Sequence, residues 1–401
     1  MSLTSAGNNS NQQRNTGDSP EQFDYIVLGA GCSGLSLVAR IIQSGHFKQK
    51  KILLIDKSPK KGNDKTWCFW DAGNLEASWK DAGIVHHQWT KLWLKHPAEN
   101  LLLNIAPYSY KMIRSEDFYR HCFNMIRSAS NVQIHFAEIT GTDPDKGTVT
   151  TTGGVFSAPC IFSSVLLDMP RLKSTDLYLL QHFKGWWIET DYDAFDPEQA
   201  DLMNFCTPQN HGCTFVYVLP VSKRRALIEY TLFTEEIITD EEYDAGLRDF
   251  ISIQLKISGY KITDVEKGVI PMTNFEFLQQ QGKVFFIGTA GGQTKASSGY
   301  TFSFIQKQSE AIVNSMIKSG VPVLNKQPAR FHFYDTVLLK VLHERKIAGA
   351  DVFYSMFKKN KTTSLLRFLD NESNLFEELA IMNTTKKRIF IPAAIKALQK
   401  K

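Results

Sequence analysis

Among the residues that can perform acid–base chemistry, Glu229 stands in an unusual setting. It lies in the run Arg225–Phe233, whose alternation predicts a strand with Leu227, Glu229, Thr231 and Phe233 on one face. A carboxyl group among apolar neighbours is costly to ionise, so its pKa is expected to rise and it can donate a proton at neutral pH. The alternative is an exposed Glu229 paired with a basic residue just before it, and the pattern alone leaves both open.

Three glycines have the spacing of a dinucleotide site. In Gly29-x-Gly31-x-x-Gly34 the first glycine permits a tight turn, the second lets a pyrophosphate approach the backbone, and the third lets the helix pack closely on the strand. A phosphate group would lie on backbone N–H groups at the start of that helix, where the helix dipole favours negative charge. The spacing therefore indicates a phosphate-binding turn.

The segments on either side of these glycines have the order that such a turn requires. An apolar run at Phe23–Leu28 precedes them, the helical pattern Leu35–Ser44 follows, and a second apolar run, Lys51–Asp56, ends in an acid. Strand, turn, helix and strand predict a βαβ unit in which Asp56 accepts hydrogen bonds from a ribose diol. The alternative is a glycine-rich turn in an unrelated α/β fold.

A segment far downstream favours FAD over NAD as the dinucleotide. Lys283–Gly292 has the pattern of a buried strand that runs into a glycine cluster, and the chain has only one Gly-x-Gly-x-x-Gly. In two-part flavoproteins a late strand of this kind returns to the nucleotide site and brings backbone N–H groups to the flavin. The predicted cofactor-binding residues are Gly29, Ala30, Gly31, Cys32, Ser33, Gly34, Asp56, Lys57, Trp67, Gly288, Thr289, Gly291 and Gly292.

The remaining pattern predicts an α/β protein with a Rossmann-like FAD-binding domain, a second domain built on an antiparallel β-sheet for the substrate, and a helical C-terminal region. Phe215–Leu219 and Arg225–Phe233 predict a hairpin of the second sheet. The predicted boundaries are a disordered tail at 1–22, an FAD-binding domain at 23–75 completed by 111–165 and 265–320, a substrate domain at 76–110 and 166–264, and a helical region at 321–401.

Composition excludes several classes of protein. The six cysteines show no metal-ligand spacing and no secretion signal precedes them, so we expect a reducing cytoplasm and no metal site. No stretch holds the about 20 apolar residues that span a bilayer, and no interleaving of basic and aromatic residues suggests nucleic acid. The basic excess lies in residues 331–401, with 13 Lys and Arg against 7 Asp and Glu. Its last part, Lys386–Lys401, predicts either a helix on an anionic membrane surface or a solvated helix packed on its own domain.

Four segments in matching order resemble the lycopene cyclase family, in particular its bacterial FAD-dependent lycopene β-cyclases, over roughly residues 23–400. They are Asp24–Gly34, Lys65–Trp70, Phe215–Pro220 with Ala226–Thr231, and Gly288–Gly291 through Ser298–Tyr300. The chain departs from the family at Asn204, where the family has an acid, and at Lys295-Ala296, where it has His-Pro. Serine also replaces an acid at the end of Cys160–Ser164.

The resemblance implies a reaction, a catalytic acid and partners. Glu229 would help to deliver a proton to the terminal double bond of lycopene or a similar acyclic polyene, beside reduced FAD, and the carbocation would close to a β-ionone ring without change of mass. NAD(P)H would serve as the reductant. Because a long polyene resides in the bilayer, the resemblance also implies peripheral attachment to the membrane.

A carbocation needs polarisable walls, which aromatic rings provide through cation–π attraction of about 0.5–2 kcal/mol each. Ordinary packing is the alternative for each ring, and only one of the adjacent Trp186 and Trp187 can face a given pocket. The predicted substrate-pocket residues are Trp70, Trp186, Tyr217, Thr231 and Tyr300.

Two other functions stay open at this point. A flavin monooxygenase or prenyl-chain reductase of the same fold would consume NAD(P)H in proportion to substrate. A carotenoid-binding flavoprotein without catalytic activity would bind the polyene tightly and leave it unchanged.

Overall fold

The computed structural model describes residues 19–74, 79, 82–167, 171–324 and 327–399. Residues 1–18 of the tail predicted at 1–22 therefore lie outside the described residues. Its last part is ordered, because Glu21–Gln22 pairs in parallel with Phe156–Ser157.

A six-stranded sheet forms the first layer. Its apolar strands are buried almost throughout, as expected of parallel strands that are covered on both faces. Helices Cys32–Ser44, Ser115–Arg127 and Phe302–Ser319 share a buried core with it. From edge to edge the strands are Gln280–Gln281, Val284–Phe286, Cys160–Ser163, Tyr25–Leu28, Ile52–Asp56 and Val132–Phe136.

A seven-stranded, mostly antiparallel sheet forms the second large layer. The predicted hairpin is confirmed by the antiparallel pairing of Cys213–Pro220 with Arg225–Thr234. The edge strand Lys261–Thr273 runs past the predicted domain boundary at 264, so residues 265–273 belong to this sheet. From edge to edge the strands are Lys261–Thr273, Tyr178–Glu189, Arg225–Thr234, Cys213–Pro220, Gln199–Asn204, Lys91–His96 and Glu99–Asn104.

The two faces of this second sheet have different coverings. Helix Asp240–Asp249, with Tyr243 and Leu247, packs on the face that carries Trp186 and Ile228. The other face shares its core with the C-terminal helices. Those helices are Ala329–Glu344, Gly349–Lys359, Thr362–Leu369, Leu375–Thr384 and Lys387–Leu398.

Two smaller sheets complete the described fold. A three-stranded sheet joins Thr66–Asp71, Ser109–Arg114 and Val85–Trp89. A four-stranded sheet joins Glu21–Gln22, Gly154–Ser157, Thr148–Thr151 and Ile139–Asp143. Within the described ranges, none of the helices has both the length and the apolar character needed to cross a membrane.

Candidate active site

A cavity of about 420 Å³ connects the glycine turn with the second sheet. This volume is in the range of small-molecule binding sites. Gly31 and Ser33 line one part of the cavity, and Tyr217, Leu227 and Glu229 line another. The cavity therefore brings the predicted phosphate-binding turn and the predicted acid to the walls of one space.

The glycine turn has the geometry that its sequence predicts. Gly29 has a φ of +93°, and a Cβ atom at Gly34 would lie 1.9 Å from the carbonyl oxygen of Gly29. Among the residues that the structure describes, none lies within 4 Å of the place that a Cβ atom at Gly31 would take. No described side chain caps helix Cys32–Ser44 at Gly31 and its first turn holds no acid, so this helix start suits an anion.

Asp56 lies beneath the turn. Its Oδ2 accepts a hydrogen bond of 2.6 Å from the Ala30 N–H, and its Oδ1 accepts one of 2.8 Å from the Ser58 N–H. Neither Asp56 nor Lys57 lines the cavity, so the predicted ribose contact stays a prediction. Lys60 and Lys65 do line it and bring positive charge to its wall.

Three polar atoms of the cavity wall are buried without a hydrogen-bond partner among the described residues. They are the hydroxyl oxygens of Ser33 and Ser298 and the side-chain carbonyl oxygen of Gln181. A buried polar group without a partner costs free energy, and a polar ligand in the cavity would remove that cost.

The late glycine cluster returns to the first turn, as predicted. A Cβ atom at Gly288 would lie 2.7 Å from the Cβ atom of Ser33, so glycine permits this close approach. The Gly288 N–H donates a hydrogen bond of 3.0 Å to Gln308 Oε1. Thr289 lines the cavity, whereas Gly288, Gly291 and Gly292 do not.

Glu229 lies in the cavity wall rather than at the surface. Of the neighbouring basic residues, Lys223 and Arg224 pair with Asp193 instead, and the Arg225 guanidinium lies 5.1 Å from the ring centre of Trp187. The sequence alternative of a surface ion pair is therefore wrong.

A second carboxyl group lies two strands away from Glu229. In the sheet, Gly185 pairs with Glu229 on one side and with Glu266 on the other, so the two acids flank a residue without a side chain. The two carboxyl groups lie close enough for each to act on the pKa of the other. Burial, followed by the like charge of Glu266, raises the pKa of Glu229 well above its usual range, and burial also raises the pKa of Glu266.

A threonine donates a hydrogen bond to each acid. Thr231 donates to Glu229 Oε1 at 2.9 Å, and Thr66 donates to Glu266 Oε2 at 2.6 Å. Thr231 is fully buried and does not line the cavity. Its predicted position in the substrate pocket is therefore corrected: it contacts Glu229, which lines the cavity.

Three tyrosines and a cysteine form the wall beside Glu229. The phenol of Tyr300 interacts with those of Tyr110 and Tyr217, Cys68 interacts with Tyr110, and all four residues line the cavity. Burial raises the pKa of the Cys68 thiol and of the phenols, so all four groups are neutral at neutral pH. This wall is polarisable and carries no anionic nucleophile.

The three predicted tryptophans differ in their position relative to the cavity. Trp67 lines it, and Trp70 lies behind Tyr300 with the ring centres 4.5 Å apart. The predicted position of Trp186 in the substrate pocket is corrected, because its side chain packs on the opposite face of the sheet with Ile228.

Sequence reasoning missed Glu266, Gly185 and the tyrosine partner Tyr110. No alternation of apolar and polar residues marked Glu266 in the sequence, because Val265 and Val269 lie on the exposed face of its strand while Glu266 and Gly268 are buried.

The lycopene cyclase protein family matches this chain over residues 24–394. The chain belongs to the lycopene cyclase family. A lycopene beta-cyclase from Pantoea ananas is 24% identical over 295 residues, which are 70% of this chain and 71% of that protein. A lycopene beta-cyclase from Pseudescherichia vulneris is 23% identical over 323 residues, or 77% and 79% of the two chains. The prediction of an enzyme of this kind is confirmed.

Solved structures share the fold of this lycopene cyclase family member. A flavoprotein/dehydrogenase from Cytophaga hutchinsonii has a TM-score of 0.62 at 12% identity, with 95% of this chain and 100% of that chain covered. A geranylgeranyl bacteriochlorophyll reductase-like protein from Thermoplasma acidophilum has a TM-score of 0.59 at 13% identity, with the same coverage. The predicted fold class is confirmed.

Proposed function

We propose that this chain cyclises the acyclic ends of lycopene or a related carotenoid to β-ionone rings without net oxidation or reduction. The observation that carries the proposal is Glu229, a carboxyl group with a raised pKa in the part of the cavity wall that Tyr217, Leu227 and Tyr300 also form. A protonated carboxyl group in such a place is a general acid at neutral pH.

The chain's own residues account for the proton movements. Glu229 donates its proton to a carbon of the terminal double bond, whose electron pair forms the new C–H bond, and the carboxylate keeps the electrons of the broken O–H bond. The cation then closes onto the neighbouring double bond. The Glu229 carboxylate is a base in the same cavity and takes up the ring proton, which restores the acid and leaves the mass unchanged.

The tyrosine wall favours the cationic intermediate. The rings of Tyr217 and Tyr300 line the cavity beside Glu229 and attract a cation through their faces. Because the phenols and the Cys68 thiol stay protonated, they are poor nucleophiles toward the cation.

FAD is the cofactor that the glycine turn fits best. Gly29, Gly31, Gly34 and the helix start at Cys32 would hold the pyrophosphate, and the Ser33 hydroxyl, which has no hydrogen-bond partner among the described residues, lines the same space. Thr289 and Trp67 would line the flavin end. When bound and reduced, with NAD(P)H as the source of electrons, FAD supplies a negative charge that stabilises a nearby cation.

We propose that the last two helices bring the enzyme to the membrane. Helix Leu375–Thr384 exposes Leu375, Phe376 and Leu379 on one side, and Phe376 is 86% exposed. Helix Lys387–Leu398 exposes Ile391, Ile395 and Leu398 at helical spacing, next to basic residues at 386–388. Exposed apolar side chains with adjacent positive charge favour an anionic lipid surface.

The test is anaerobic incubation of the purified chain with lycopene in liposomes, FAD and excess NADPH or dithionite, followed by chromatography with mass detection. A blue-shifted product of unchanged mass supports the cyclase. A gain of two hydrogens would identify a prenyl-chain reductase and a gain of oxygen a monooxygenase, while unaltered but tightly bound lycopene would identify a binding protein.

Glu229→Gln tests the acid within that assay. We expect a loss of about 10²–10⁴-fold in turnover with unchanged flavin content, because the amide cannot donate the proton. The matched control is Glu276→Gln, which alters an exposed acid and should keep wild-type turnover. Wild-type turnover of Glu229→Gln would exclude Glu229 as the acid.

A further inference from the structure

Gly185 determines how closely Glu229 and Glu266 approach. The three residues form one row across adjacent strands, and a Cβ atom at Gly185 would lie 3.1 Å from Glu266 Cγ and 3.5 Å from Glu229 Cβ. Any larger residue at this position would stand between the two acids. Because no φ requirement calls for glycine here, space is what glycine supplies.

The approach of the two acids across Gly185 has a chemical consequence. Two carboxylates have only acceptor oxygens and repel each other, so a buried pair of acids can share a hydrogen bond only when one of them carries a proton. Two acids in one buried site share a proton for the same reason.

We propose that Glu266 is a positioning residue that shares a proton with Glu229 across Gly185 and so keeps Glu229, the acid of the proposed cyclase, protonated. This inference rests on the proposed function. Glu266 is buried and is not among the residues that line the cavity, so it acts through Glu229 and not on the polyene.

The surroundings place the shared proton on Glu229 and the negative charge on Glu266. Thr66 donates to Glu266 at 2.6 Å, a shorter bond than the 2.9 Å bond from Thr231 to Glu229, and the Lys65 charge also favours a Glu266 carboxylate. The other groups that act on the pair are Asp264, Cys68 and Tyr217. The burial of Cys68 and Tyr217 keeps both neutral, and Asp264 is exposed.

The proton balance of the reaction follows from this arrangement. The O–H bond of Glu229 breaks as the C–H bond of the substrate forms, which leaves two facing carboxylates opposite the cation. Repulsion between the carboxylates and attraction to the cation both favour return of a proton to Glu229. The ring proton supplies it, so no other reactant is consumed.

Glu266→Gln tests the inference through the pH dependence of turnover. Without the like charge, Glu229 ionises more readily, so the alkaline limb of the pH–rate profile should move to lower pH, by on the order of one unit. Turnover should fall less on the acid side of the profile than on the alkaline side, because Glu229 is protonated on the acid side in both proteins. Glu276→Gln is the matched control and should keep the wild-type profile.

Gly185→Ala tests the same idea with both acids present. The new methyl group would lie 2.9 Å from Leu227 Cδ1, the end of a flexible side chain, so the strand can keep its place. We expect the alkaline limb to shift in the same direction as in Glu266→Gln. The control is Gly259→Ala, where a Cβ atom would meet nothing within 4 Å.

Infrared titration of protonated carboxyl groups supplies a readout without cofactor or substrate. The difference spectrum between wild type and Glu229→Gln should show the signal of one protonated carboxyl group. In Glu266→Gln the midpoint pH of that signal should be lower than in wild type. An unchanged midpoint with equal loss of turnover at every pH would overturn the inference. A lowered midpoint in a protein that does not cyclise lycopene would support the shared proton and reject the proposed function.

Discussion

The indole Nε1 of Trp70 donates a hydrogen bond of 2.5 Å to Asp370 Oδ2, and the same indole ring lies edge-on against Tyr300. Asp370 follows the C-terminal helix Thr362–Leu369, whereas Tyr300 lines the cavity. The helical region therefore holds an aromatic ring behind the wall at which a cation would form.

This contact predicts a pH-dependent tryptophan signal. Burial raises the pKa of Asp370 to about 6, so its carboxyl group is protonated below that pH and charged above it. The fluorescence difference between wild type and Trp70→Phe should titrate with a midpoint of about 6. Asp370→Asn should abolish the titration, and the exposed control Asp264→Asn should leave it. Persistence of the midpoint in Asp370→Asn would assign it to another group.

The paired acids predict how stability depends on pH. Both have a raised pKa in the folded state against an ordinary value of 4.5, so the folded chain binds more protons than the unfolded chain above pH 4.5. Their contribution to the free energy of unfolding is complete below 4.5 and is lost as pH rises through the folded-state values. In urea unfolding at a series of pH values, the free energy of unfolding should therefore decline less steeply with rising pH for Glu229→Gln than for wild type. Parallel declines would contradict the raised pKa.

Alanine substitutions at two glycines of the turn should affect different properties, thermal stability in one case and flavin retention in the other. Gly34→Ala places a Cβ atom 1.9 Å from a backbone oxygen, so the melting temperature of the flavin-free protein should fall. Gly31→Ala has open space, so that temperature should hold while flavin retention falls, because the methyl group would occupy the proposed pyrophosphate position. Calorimetry of the stripped protein and flavin absorbance after gel filtration measure the two effects. Normal flavin retention by Gly31→Ala would argue against this binding mode.

A buried ion pair predicts a large loss of stability. Lys295 Nζ lies 2.7 Å from Asp335 Oδ1 and is fully buried. Lys295→Met leaves the Asp335 carboxylate without its counter-ion, which should cost about 3–5 kcal/mol in the free energy of unfolding. The control Lys307→Met breaks the exposed pair with Glu372 and should cost at most about 1 kcal/mol. Equal costs in denaturant titrations would show that burial of the pair does not matter.

The exposed helix faces predict binding to lipid. Phe376→Ser combined with Leu379→Ser should reduce flotation with anionic vesicles while the melting temperature stays unchanged, because both side chains are exposed. Val155→Ser, which alters an exposed apolar residue of the four-stranded sheet, is the control. Removal of residues 384–401 should weaken flotation as well. Undiminished flotation of these variants would place the lipid contact elsewhere.

Local patterns were sufficient to predict the glycine turn, the hairpin and the face that Glu229 shares with Leu227 and Phe233, but they left open whether Glu229 is buried. Each of these patterns lies within a short stretch of the chain. Glu266 escaped prediction because it reaches Glu229 only when its strand pairs with Tyr178–Glu189, a neighbour distant in sequence. The orientation of Trp186 escaped for a similar reason, since strand register decides which of two adjacent side chains faces the cavity.

The Lys295–Asp335 pair also sets an order of events during synthesis. The loop that carries Lys295 leaves the ribosome before Asp335 does, since chains grow from the N-terminus. A nascent chain that ends before Asp335 contains Lys295, which is buried in the folded protein, but lacks its counter-ion. Tyr300, which lines the cavity five residues after Lys295, therefore follows a segment that lacks its ion-pair partner until Asp335 has been made.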